Sequence, residues 1–212
     1  MHQPTGRRTL LPAYLAVAAA DTALAATGKR RARRVTKPAL MPLLALHVAQ
    51  RGEDEETKPL VLAGLGMSWL GDVALIGKSE GAFAVGLSSF LAAHGCYLAA
   101  LTKRRRGGVR KAPWVAAAYG LAWCGLNAVL LPRTGKLRVP VIVYGTALAA
   151  MAVAALDTDD PTVAAGGALF MVSDSILAMR TFEAATIPGA DGLVMATYTA
   201  AQALIAGGMM AR

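Results

Sequence analysis

The sequence predicts an all-α membrane protein, a bundle of about eight transmembrane helices, and three observations lead there. Of its 212 residues, 55% are hydrophobic and 17% charged, whereas an ordinary soluble domain is roughly 45–50% apolar and about 25% charged. The mean hydropathy is +0.46. Apolar runs approaching the ~20 residues that span a bilayer recur along the chain, separated by short stretches of charge, Gly or Pro. They leave no space for a soluble domain, so residues 1–212 read as one integral membrane domain.

The first run, 10–27, follows Arg7 and Arg8 and mimics a signal peptide. It carries Asp21 and opens a polytopic pattern, so it reads as the first helix. The second, 37–50, is short for a span, which leaves it either tilted or beginning a turn earlier; Lys37-Pro38 suits a helix start, because proline at the first helical position gives up only an amide without an intrahelical partner. The third, 59–77, holds Ser68 and Asp72; the fourth, 81–101, holds His94 and Tyr97. The fifth covers 112–131, and the sixth, 137–156, begins around Val139-Pro140 as the second does around Lys37-Pro38. The seventh, 162–180, carries Ser173-Asp174-Ser175, and the eighth, 190–210, carries Tyr198 and Gln202.

A shift of 102 residues lays Pro38 on Pro140 and Gly71-Asp72-Val73-Ala74-Leu75 on Ser173-Asp174-Ser175-Ile176-Leu177. The chain then divides into repeat halves 1–106 and 107–212 of four helices each, parallel about an axis along the membrane normal. Chance alignment of Ala-, Leu- and Gly-rich sequence is the plain alternative.

The net charge of +9 and pI near 10.0 do not point to nucleic acid, because no aromatic-interleaved basic groove accompanies them. The basic residues cluster in 29–37 and 103–111, connections that suit lipid phosphates. Lys and Arg divide eleven to eleven between the two sides of an eight-helix topology, so orientation is not fixed by charge; first-helix dominance favours a cytoplasmic 29–37. Acids at 53–56, 157, 159 and 160 steer weakly. Cys96 and Cys124 lie in apolar runs and behave as small hydrophobes.

Three of thirteen acids, Asp21, Asp72 and Asp174, lie inside apolar runs. A charge at the bilayer centre costs about 2.5–3.5 kcal/mol on the lower estimates, which makes such acids functional candidates by default. At 1.5 Å per residue each lies roughly 8 to 9 Å from the end of its run, and helices 1, 3 and 7 run towards one side, so the three share a layer. Lys37 lies near it, Tyr198 roughly 12 Å into its helix and Gln202 one turn deeper. Ser68, four residues before Asp72, shares its face, and Ser173 flanks Asp174. These serines equally suit helix–helix contacts, and a Lys37–Asp bridge that only fixes helix positions is an alternative.

His94 falls deeper, about 20 Å from the start of its helix. With His2 terminal and His47 at the far end of helix 2, a histidine metal site is poorly supported, and no metal or cofactor is expected. The chain contains no Gly-x-Ser-x-Gly elbow, P-loop or His-Glu-x-x-His.

Thr36-Lys37-Pro38, Ser68-Trp69-Leu70-Gly71-Asp72-Val73-Ala74-Leu75, Phe90-Leu91-Ala92-Ala93-His94-Gly95-Cys96-Tyr97 and Ser173-Asp174-Ser175, with Tyr198 and Gln202, resemble in order and spacing the motifs of the YhhN-like lysoplasmalogenases. The resemblance implies an eight-helix enzyme of the cell membrane that hydrolyses the vinyl ether bond of lysoplasmalogens to a fatty aldehyde and a glycerophospho-headgroup. Its partners would be that lysophospholipid and the surrounding lipid. Vinyl ether hydrolysis needs an acid and a base but no nucleophile, and two carboxylates at one depth can divide those roles. Asp72 and Asp174 are the expected pair, with acid and base unassigned. Lys37, Ser68, His94, Tyr97, Ser173, Tyr198, Gln202 and Asp21 are supporting candidates. A small proton- or cation-coupled transporter and a non-catalytic lipid-binding protein are the alternatives; headgroup, orientation and oligomeric state stay open.

Overall fold

The computed structural model describes residues 10–51, 56–77 and 79–211. His2, Arg7, Arg8, Glu53, Asp54, Glu55, Lys78 and Arg212 lie outside the described residues. The described chain folds as α1 (Leu11–Ala26), α2 (Arg30–Ala49), α3 (Lys58–Ala74), α4 (Glu80–Thr102), a one-turn α5 (Gly108–Lys111), α6 (Pro113–Leu130), α7 (Arg138–Asp157), α8 (Pro161–Thr181) and α9 (Ala190–Met210). No strand occurs among the described residues. Each of the eight predicted runs becomes a helix. Five of them, α4, α6, α7, α8 and α9, are long and apolar enough to cross a membrane by length and composition.

Several ends follow from local chemistry. Ser79 caps α4 by accepting the amide of Ala82 at 3.1 Å, and Asp160 caps α8 by accepting the amides of Thr162 and Val163. Pro113, Pro140 and Pro161 sit in the first turns of their helices, where a missing amide costs nothing.

Two boundaries differ from the sequence expectation. Helix α2 starts at Arg30, not at Lys37, and carries Pro38 and Pro42 inside it. Lys and Arg are good helix formers, and the basic run 30–34 is helical. Pro42 lacks the amide that would bond the carbonyl four residues back. That carbonyl, of Pro38, accepts the indole N–H of Trp69 at 3.0 Å, so α3 satisfies the group that α2 leaves open. Helix α3 ends at Ala74, before the predicted 77, so Asp72 lies about 3 Å from its helix end instead of 8 to 9 Å.

Sequential helices pack side by side, α1 through α4 and α6 through α9, and the two sets join where α4 meets α7 and where α9 meets α1, α2 and α3. Glycines permit the closest approaches. A Cβ added at Gly71 would meet the Phe90 ring at 2.6 Å, and one at Gly166 would meet Ile205 Cγ1 at 2.8 Å and its backbone nitrogen at 3.0 Å. Large apolar side chains remain on the outside, including Trp114, Leu121 and Val139, as a bilayer-facing surface has them.

Gly166→Leu should lower the thermal midpoint of the detergent-solubilised protein, since overpacking a close contact costs typically about 1–3 kcal/mol. Gly207→Ala, where an added Cβ meets nothing within 4 Å, should leave it unchanged or slightly raised. Equal midpoints for both variants would contradict the packing.

Candidate functional site

Helix α2 presents Arg33 and Lys37 four residues apart, hence on one face. Each takes one aspartate from a neighbouring helix. Arg33 bonds the carboxylate of Asp21 through Nε and Nη2 at 3.2–3.3 Å, and Thr36 adds its hydroxyl to the same group. Lys37 Nζ lies 3.2 Å from Asp72 Oδ1. Both carboxylates are buried.

Asp72 has a second partner in Tyr198, whose hydroxyl donates to Oδ2 at 2.8 Å. Asp174, partly buried on α8, accepts the hydroxyl of Tyr144 from α7. Each of the two aspartates therefore carries a phenol donor. They face a common cavity of about 550 Å³, lined also by Lys37, Arg33, Tyr144 and Tyr198. At its mouth Arg180 and Asp191 form an exposed ion pair.

Below the aspartates lies a buried polar cluster. Gln202 donates to Ser68 at 3.0 Å and accepts from Tyr97 at 2.6 Å, and all three are buried. Tyr14 donates to the carbonyl of Thr199 at 2.7 Å, fastening α1 to α9. A narrower crevice of about 90 Å³ leads sideways from the cavity, between α4, α6, α7 and α8; Asp174, Tyr144 and Phe90 line both spaces.

Residues 32–209 of this chain match the YhhN family. The chain belongs to the YhhN family. It is 34% identical over 193 residues to proteins named lysoplasmalogenase in Mycobacterium bovis and Mycobacterium tuberculosis, an alignment covering 86% of this chain and 72% of each relative. No solved structure is a significant match.

In this YhhN chain the candidates fall into three groups. Asp72, Asp174, Lys37, Ser173 and Tyr198 line the cavity. The Ser173 hydroxyl, however, is engaged with the carbonyl of Val194 at 3.1 Å, a contact between α8 and α9. Ser68, Tyr97 and Gln202 form the floor instead of the lining. His94 lies beneath Tyr144, its ring 5.2 Å from that phenol ring and 4.9 Å from Phe170. Its Nδ1 faces the Phe90 carbonyl, while Nε2 has no partner among the described residues. Asp21 is tied to Arg33 and Thr36 and is not among the residues that line the cavity. Among the described residues no group of three or more His, Cys, Asp and Glu converges.

Tyr144 and Arg33 are the residues that sequence reasoning missed. Tyr144 lies six residues into α7, about 9 Å from its start, and the depth argument applied to Tyr198 would have found it. Arg33 reads from sequence as one of the basic residues of 29–37 that suit lipid phosphates, and nothing in the spacing singles it out as the partner of Asp21.

Asp21→Ala should destabilise the fold, on the order of 3 kcal/mol, because it strands a partly buried guanidinium, and Arg33→Ala should cost no further stability once Asp21 is gone. Thermal midpoints of the two single variants and the double variant test this; additive losses would show that the pair is not coupled.

Proposed function

We propose that this YhhN-family chain is a membrane-embedded hydrolase that cleaves the vinyl ether bond of lysoplasmalogen-type lysophospholipids, releasing a fatty aldehyde and a glycerophospho-headgroup. The relatives named lysoplasmalogenase support the reaction. The observation that carries the chemistry is the pair Asp72 and Asp174 on one cavity, each bonded to a tyrosine hydroxyl.

The reaction starts with a proton delivered to the vinyl carbon remote from oxygen, which leaves an oxocarbenium ion. Water adds to the cationic carbon and gives up a proton, forming a hemiacetal. The hemiacetal then loses its hydroxyl proton, its bond to the glycerol oxygen breaks, and that oxygen is protonated. One water is consumed and both carboxyl groups return to their starting states. Lys37 sets a positive charge against Asp72, which suits Asp72 as the anionic base that takes the proton from water. Asp174, bonded to the Tyr144 phenol and without a cation against it among its hydrogen bonds, suits the acid that protonates carbon. Both exchange roles as the hemiacetal collapses. Lys37 also balances the negative charge that passes between the carboxylates.

The buried, hydrogen-bonded floor of Tyr97, Gln202 and Ser68 supports an enzyme over a carrier, which has to open a path to the opposite face. We extend the reading to all eight long helices crossing the bilayer, a parity that brings Asp72 and Asp174 to one cavity, and to a duplication of halves 1–106 and 107–212. The repeated neighbour order α1–α4 and α6–α9 supports the duplication.

Purified protein should release aldehyde from a lysoplasmalogen and none from its acyl or alkyl analogues. Asp72→Asn and Asp174→Asn should each lower kcat by about 10²–10⁴-fold, the span of general acid–base contributions; Asp174→Asn should keep a thermal midpoint near that of the parent, while Asp72→Asn, which leaves Lys37 unpaired, should lower it. Tyr144→Phe and Tyr198→Phe should lose less. Cleavage of the acyl analogue, or full turnover in both Asn variants, would overturn the assignment.

A further inference from the structure

The cavity around Asp72 accommodates a headgroup and the reacting atoms, and its charged wall is a poor place for hydrocarbon. The crevice is its opposite. Its walls include Leu87 of α4, Leu126 and Leu130 of α6 and Leu148 of α7, and Asp174, which it shares with the cavity, is the one charged side chain among the described residues that line it. Polarity therefore reverses across Asp174. An amphiphile whose linkage lies at that carboxyl has its head on the charged side and its chain on the apolar side.

The outer wall of the crevice is α6, a peripheral helix. Only Asn127 and Leu130 of α6 are buried, while Trp114, Leu121 and Val129 are exposed, and α7 is its main support. The size of the crevice is equally informative. At about 10–15 Å³ for each water-sized group, a space of about 90 Å³ holds roughly six to nine such groups. That is the first part of a long hydrocarbon chain, and the remainder has to run out beside α6.

Resting on the hydrolase reading above, we infer that this crevice seats the proximal segment of the substrate's alkenyl chain, that Leu126 on α6 limits the shape accepted there, and that the distal chain stays in the bilayer. Selectivity then falls on the carbons next to the vinyl ether. Chain length beyond the crevice does not enter.

Two measurements test this, one of which needs no turnover. A non-cleavable 1-O-alkyl lysophospholipid with a photoreactive diazirine near its ether should label peptides of α6 and α7 between residues 126 and 148, and excess unlabelled analogue should suppress the labelling. In turnover, Leu126→Trp should lower kcat/KM at least about tenfold, the lower end of what a misfit in an apolar pocket costs. Leu126→Ala should improve a substrate branched near the vinyl ether relative to the straight one, and lengthening the straight chain beyond the crevice should change neither variant's ratio to the parent. Should the parent release no aldehyde while α6 and α7 are labelled, the hydrolase reading fails and the chain site stands. Should aldehyde be released while labelling falls on helices other than the α4, α6, α7 and α8 that wall the crevice, or while Leu126→Ala leaves the branched-to-straight ratio unchanged, the crevice assignment is overturned.

Discussion

Charge inside an apolar bundle has to be matched, and the face of α2 bearing Arg33 and Lys37 does this for two helices at once. Arg33 holds Asp21 of α1, and Lys37 holds Asp72 of α3. Removing one member of such a pair leaves the other unpaired at low dielectric, which costs far more than the pair contributes when intact. This pairing fixes the rotation of α2 about its axis and the height of α1 and α3 against it. It also requires α2 to run unbroken past Pro38 and Pro42, and the Trp69 indole from α3 closes the gap this leaves in the hydrogen-bond ladder. The same three helices thus carry the structural pair, Arg33 and Asp21, and one half of the site.

The other half is built differently. Asp174 comes from α8, and the neighbour that bonds it is the phenol of Tyr144, which in turn packs on the ring of His94. The two carboxylates consequently meet the cavity in unlike settings, Asp72 against an ammonium and a phenol, Asp174 against a phenol and the mouth of an apolar crevice. Unlike settings are what divide acid from base in a pair of chemically identical groups. His94 supports Tyr144 through this ring contact.

Much of this was legible in the sequence because its physics is one-dimensional. Runs of apolar residues near the bilayer length located the helices, and the cost of a carboxylate inside such a run singled out Asp21, Asp72 and Asp174. Helix parity then put them on one side. What failed were the features settled between helices. Local rules place Pro38 at a helix start, while the carbonyl that Pro42 frees is satisfied by a residue 31 positions away from it in sequence. The helix extends back to Arg30 and so brings Arg33 to Asp21. Ser68 and Gln202 lie a turn below the site and bond to one another, and sequence spacing does not say which of two facing hydroxyl or amide groups will pair. The crevice beside Asp174 had no sequence signal at all, since the leucines that line it look like those that face lipid.

The central claim is that carboxylates of this bundle protonate a vinyl carbon and direct water to the carbon beside oxygen. It is tested most directly by running the reaction in deuterium oxide enriched in heavy oxygen and analysing both products by mass spectrometry. The account predicts one deuterium bound to the carbon next to the aldehyde and no heavy oxygen in the glycerophospho-headgroup. Heavy oxygen in the headgroup, or an aldehyde with no deuterium on that carbon, would contradict it.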